Sequence, residues 1–217
     1  MQQYTAASTL LDYNHERVQE FIHQHTHADM TDQEKAIAIA LYMAVRDGWR
    51  YTASQIFLTQ EAWICSNIME RPEGHCLDKA ILLVACLRGA GIPARLHLAK
   101  VKNHIAAERM IEQLGTDELT PHGMVDVYLD NRWIKVSPAF NKQLCEKLNV
   151  DPLDFDGEQD CIFQQFDREG GVFMEYLEDY GHFEDVPMAF IYSNMKEHYS
   201  GLSKHLGTAK EYRLDNR

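Results

Sequence analysis

Glu73-Gly74-His75-Cys76-Leu77-Asp78-Lys79-Ala80 runs without interruption into Ile81-Leu82-Leu83-Val84-Ala85-Cys86-Leu87-Arg88 and halts at Gly89-Ala90-Gly91-Ile92-Pro93. The stop is strongly written: Gly89 and Gly91 tolerate positive φ, and Pro93 cannot continue a helix. Between the turn at Gly74 and this stop, apolar side chains occupy most of the circumference, which predicts a central helix over about 77–88. Cys76 then stands at the mouth of that helix. The free N–H groups and aligned peptide dipoles of a first turn favour thiolate over thiol, so this cysteine is the candidate for chemistry.

Downstream, 94–101 alternates Leu96, Leu98 and Val101 against Arg95, His97 and Lys100, as a strand leaving the helix would. Residues 103–119 read as a polar, partly helical insertion. Gly123 to Leu129 and Trp133 to Val136 are apolar-rich runs separated by Asp130-Asn131, two residues that accept positive φ, and predict a β-hairpin. Upstream, Val18, Phe21, Ile22 and His25 recur at helical spacing within 14–27, and Thr31-Asp32-Gln33-Glu34 matches a capping box before a second helix that Asp47-Gly48 ends. The stretch 49–68 is irregular or weakly helical, 151–160 is an acidic loop, and a last helix is expected over 188–206.

The chain has 217 residues, 45% hydrophobic and 25% charged, enough for one compact domain with extensions. A formal charge of −12 gives an average field that repels nucleic acid and anionic lipid, so neither is expected as a partner. The N-terminus shows no basic and apolar leader pattern, and no run approaches a membrane span, which makes the expected compartment the cytoplasm. Five cysteines without a CxxC pair read as free thiols, with Cys86 as core filler among Leu82, Leu83, Val84 and Leu87. His23, His25 and His27 alternate, but the flanking pattern is helical and a solvated face is the better reading, so no metal and no cofactor is expected.

Taken in order, Gly74-His75-Cys76-Leu77-Asp78-Lys79-Ala80, Leu87-Arg88-Gly89-Ala90-Gly91-Ile92-Pro93-Ala94-Arg95, His122-Gly123-Met124-Val125-Asp126-Val127-Tyr128-Leu129 and Trp133-Ile134-Lys135-Val136 closely resemble the transglutaminase-like superfamily over about 35–140. The resemblance implies an α+β, papain-like core with a central helix packed on an antiparallel β-sheet. It also implies Cys76 as nucleophile, His122 as general base and acid, and a peptide or protein amide as substrate, attacked to give a thioester. The residues agree with this: imidazole can take the thiol proton and return it to the leaving group as the acyl-enzyme forms. The expected organisation is an N-terminal helical extension over 1–30, the core over 31–141, and a C-terminal extension over 142–217 packing on the same domain.

The family pattern ends in Val-Asp-Pro, whereas this chain reads Val136-Ser137-Pro138. A turn at 130–131 pairs Leu129 with Arg132, hence Met124 with Ser137, and makes Ser137 a diagonal neighbour of His122 on one face. The orienting role is open among Ser137, the Asn141 amide, an acid from the C-terminal region and no group at all. A hydroxyl can fix the imidazole tautomer but cannot stabilise imidazolium as a carboxylate does. His75 and Trp63 are candidates for lining the cleft, Trp63 and Gln60 are possible sources of a second oxyanion donor, and Arg95 is read as a brace for its strand. The expected function is a cysteine-dependent amide or peptide hydrolase or acyl transferase. The rival is a non-catalytic binding module that lost the acid.

Overall fold

The computed structural model describes residues 1–27, 30, 33–53, 55–104, 111, 114–199 and 211–213. In chain order they form α1 (Glu16–His25), α2 (Glu34–Gly48), β1 (Arg50–Tyr51), β2 (Gln55–Phe57), α3 (Cys65–Ile68), β3 (Glu73–Gly74), α4 (Cys76–Gly89), β4 (Ala94–Asn103), β5 (Glu118–Leu129), β6 (Arg132–Val136), α5 (Lys142–Lys147), β7 (Met174–Phe183), α6 (Met188–His198) and β8 (Glu211–Arg213). Thr31 and Asp32 of the expected capping box lie outside the described residues, and the N-cap of α2, Gln33, makes no side-chain capping bond. The last helix ends at His198, short of the expected 206, and 200–206 lie outside the described residues.

The central helix starts where the sequence places it because its entry is reciprocally capped. The Asp78 N–H donates to His75 Nδ1 at 3.3 Å, while Asp78 Oδ2 accepts from the His75 N–H at 3.0 Å. Every residue from Cys76 to Arg88 is buried. One side of α4 packs on α1, α2 and α3 and the other on β5, so its Leu, Ile and Val side chains each contribute about 1.5–3 kcal/mol of transfer free energy. At the far end Gly91 takes φ 83°, and the Arg88 guanidinium donates to the carbonyls of Ala6, Ala94 and Glu184.

Lys79 lies one turn inside α4 with no exposed surface. Its Nζ donates to the carbonyls of Arg46 at 2.7 Å, Trp49 at 2.9 Å and Ala139 at 2.7 Å, joining the end of α2 and the segment after β6 to the helix. Burial pushes this ammonium down to about 7, and the three carbonyls use all three of its N–H bonds. Lys79→Met keeps the apolar stem but strands three buried carbonyls, and should cost about 3 kcal/mol in urea unfolding. A loss below about 1 kcal/mol would show that the carbonyls find other donors.

The main sheet has the order β6-β5-β4-β7 and is antiparallel throughout. Asp130 (φ 49°) and Asn131 (φ 62°) form the hairpin turn, and Leu129 pairs with Arg132 as the spacing predicts. The β5–β6 ladder ends at Val125 and Val136. Beyond it the Ser137 N–H donates to the Cys161 carbonyl at 2.8 Å and the Cys161 N–H to the Lys135 carbonyl at 2.7 Å, so chain from the C-terminal region covers the edge of β6. β5 begins at Glu118, inside the stretch expected to be an insertion.

Gly123 sets how closely the sheet meets the helix. A Cβ there would lie 2.9 Å from Leu77 Cα and 3.0 Å from the Cys76 carbonyl oxygen, a contact that only glycine allows. Strand alternation then turns His122, Met124 and Asp126 to the opposite face. On that face Arg95 Nε donates to Asp126 at 2.8 Å and its guanidinium stacks 4.0 Å from the Trp133 ring, so Arg95 braces the strand pair. His97 bridges Asp126 at 3.0 Å and Asp179 of β7 at 2.8 Å.

Candidate active site

Cys76 is the first residue of α4 and is 7% exposed. Burial pushes its thiol up to about 11, against the downward pull of the backbone N–H groups of Gly123, Leu77 and Cys76 itself. The thiol is therefore protonated at neutral pH. The thiolate preference expected of a helix mouth survives in the pull of these N–H groups but is outweighed by desolvation.

A cavity of about 40 Å³ lies beside the sulfur. Its walls are mainly apolar, with Ile56, Leu119, Pro121 and Met195 among them, and among the described residues no Asp, Glu, Lys or Arg lines it. Tyr51 and Tyr199 also line it, and burial keeps both phenols protonated. The α6 end covers this cavity through Thr120: its N–H donates to the Tyr199 hydroxyl at 2.6 Å, and its hydroxyl bonds Asn194 at 2.8 Å and Tyr180 at 2.9 Å. His75 lines the same cavity while its Nδ1 serves the helix cap. Trp63 is absent from that lining; it is buried against the His75 ring at 5.6 Å, and its Nε1 donates to the Phe57 carbonyl at 3.0 Å, which occupies it as an oxyanion donor. Gln60 is exposed.

His122 is 2% exposed and sits in a different, smaller cavity, shared with Ser137. Neither ring nitrogen has a hydrogen-bond partner among the described residues, so the ring is bonded to neither Cys76 nor Ser137. Burial pushes the imidazole down to about 4, with no carboxylate among the described residues to offset it. Asn141 is committed elsewhere: its Oδ1 accepts the Tyr51 N–H at 2.9 Å. The structure thus brings Cys76 against the backbone of Gly123, the residue after His122, and leaves the two side chains unbonded.

The low value at His122 has a consequence for stability. Between its ordinary 6.5 and about 4, the unfolded chain binds a proton that the folded chain does not, so stability falls as pH drops through that window, by up to about 3 kcal/mol. Urea midpoints at pH 7 and pH 4.5 should show this loss, and His122→Gln should remove that part of the difference. An unchanged pH dependence in the variant would mean that His122 is solvated.

A cysteine opening a buried helix, set against the antiparallel strand that carries a histidine, defines an α+β core of the papain-like class. The model of the Transglutaminase-like superfamily matches residues 19–138, more than half of the chain, and the protein belongs to that superfamily. Among solved structures the chain is similar to "a Putative Cysteine Protease from Cytophaga hutchinsonii", at 16% identity and a TM-score of 0.43, over 62% of this chain and 40% of that one. The chain therefore spans less than half the length of that relative. Comparison with curated proteins finds no match. Among the described residues no helix is long and apolar enough to cross a membrane.

Proposed function

We propose that the protein is a cysteine-dependent amide or peptide hydrolase or acyl transferase. The observation that carries this reading is Cys76 at the first turn of α4 with backbone N–H groups directed at its sulfur, next to the strand residue His122. Cys76 attacks a carboxamide carbonyl, His122 takes the thiol proton and delivers it to the leaving amine, and water or an amine resolves the thioester. The N–H groups of the helix mouth then face the oxyanion that develops beside the sulfur. Because thiol and imidazole are both neutral, unbonded at rest and set in separate cavities on the two faces of β5, pairing requires the β5 backbone around Pro121 to Gly123 to move when substrate enters, beyond a change of side-chain rotamer. The mainly apolar walls beside the sulfur suit an apolar acyl group.

The test combines iodoacetamide labelling of Cys76 across pH with a panel of amide and peptide substrates. Labelling that rises with pH and turnover of at least one amide are expected; a folded protein that shows neither overturns the proposal. Tyr199→Ala, which uncovers the cavity, should speed labelling about tenfold, with circular dichroism confirming the fold. An unchanged rate would mean that Tyr199 does not limit access.

The unpartnered imidazole and the serine in place of the family acid favour a second reading, a binding module that keeps the cleft without catalysis. That reading requires Cys76→Ala to leave partner binding and cellular function intact.

A further inference from the structure

Three polar side chains line one small cavity, and each carries at least one polar atom that is unpaired among the described residues. His122 has both ring nitrogens buried and unpaired. The Ser137 hydroxyl makes no hydrogen bond among the described residues, and neither does Gln164 Oε1, although both residues are buried. All three line a cavity of about 10 Å³, the room that one water molecule needs. Leaving a buried ring nitrogen unsatisfied costs about 1–3 kcal/mol, and a single water can bond one His122 nitrogen together with Ser137 Oγ and Gln164 Oε1. Gln164 is held in a definite orientation: its Nε2 donates to the Asp151 carbonyl at 3.0 Å and to Cys145 Sγ at 3.7 Å, which identifies Oε1 as the free end.

We propose that Gln164 and Ser137 together hold one water against His122, and that this water-bridged pair is the positioning group of the imidazole. The inference rests on the proposed catalytic role of His122. The ring N–H donates to the water oxygen, and the water donates its two hydrogens to Gln164 Oε1 and Ser137 Oγ. This fixes one tautomer and leaves the other ring nitrogen as the acceptor that a thiol proton needs. It supplies no negative charge, in keeping with an imidazole whose protonation is governed by burial alone.

Nitrogen-15 NMR of labelled histidine reads the result without any substrate, with His122 assigned from His122→Gln. Wild type should show one neutral tautomer with a slowly exchanging ring N–H. Gln164→Leu and Ser137→Ala should each give mixed tautomers and lower kcat on any amide that wild type turns over about tenfold. Gln164→Glu, which keeps an acceptor oxygen, should restore the single tautomer and raise the His122 pKa, a rescue that a merely structural role would not produce. Urea midpoints show which variants remain folded, and Ser137→Ala, which touches only the cavity, decides the matter where Gln164→Leu does not fold. The same tautomer, N–H exchange and pKa in wild type, Gln164→Leu and Ser137→Ala would overturn the proposal. Wild-type protein that shows the expected tautomer but neither labels at Cys76 nor turns over amides would instead remove the catalytic reading and leave the water site standing.

Discussion

Cys76→Ala should reduce amide turnover to the uncatalysed background, a loss of about 10⁴-fold or more, because no other group replaces the nucleophile in a thioester mechanism. The other thiols offer no substitute. Cys65, Cys86 and Cys145 are buried, and Cys161 lies beside the Tyr42 hydroxyl at 3.9 Å, on the edge of β6. The fold should tolerate the change, since Ala suits a first helical turn and the His75–Asp78 cap remains, which keeps the stability cost at about 1 kcal/mol or less. Turnover measured alongside the unfolding midpoint separates chemistry from folding. A folded Cys76→Ala protein that still cleaves amides would eliminate the covalent mechanism.

Ser137→Asp should act in the opposite direction and raise kcat about 10²-fold, since the orienting acid of a nucleophile–base pair is worth up to about 10⁴ where it is present. Ser137 faces the His122 cavity of about 10 Å³, and a carboxylate there takes the place of the water proposed to bridge to the ring. A carboxylate beside His122 would lift the imidazole from about 4 towards or above its ordinary range and favour the imidazolium that proton transfer from Cys76 creates. Burying the charge weakens the gain, and the prediction holds only if His122 donates to the new group. An NMR titration of His122 with kcat and KM on the same samples decides it. An unmoved imidazole with an unmoved kcat would show that residue 137 does not face the base in the working enzyme.

Much of this arrangement is legible in the sequence wherever the signal is local. The Gly74-His75-Cys76 entry, the Gly89 to Pro93 exit and the Asp130-Asn131 turn each depend on backbone chemistry within a few residues, and α4 and the hairpin follow from them. β7 is not legible: it carries Glu175, Glu178 and Asp179 and buries only Met174, because an edge strand needs no apolar alternation. Its place beside β4 depends on long-range contacts such as that of Asp179 with His97. At the site, motif order points to Cys76 and His122, but their occupation of separate cavities depends on which face Gly123 presents to α4. Gln164 has no sequence signal, since it lines the His122 cavity from an irregular segment with no periodicity to read.

The strand order has one more consequence. Residues 19–138, the stretch common to the superfamily, contain β4, β5 and β6 but not β7, which pairs with β4 from Leu96 to Asn103. A protein cut at 138 would present β4 as a bare rim of ten residues, a template for joining another chain edge to edge. A piece that keeps β4 paired therefore reaches at least to Phe183, well past residue 138, where the family match ends.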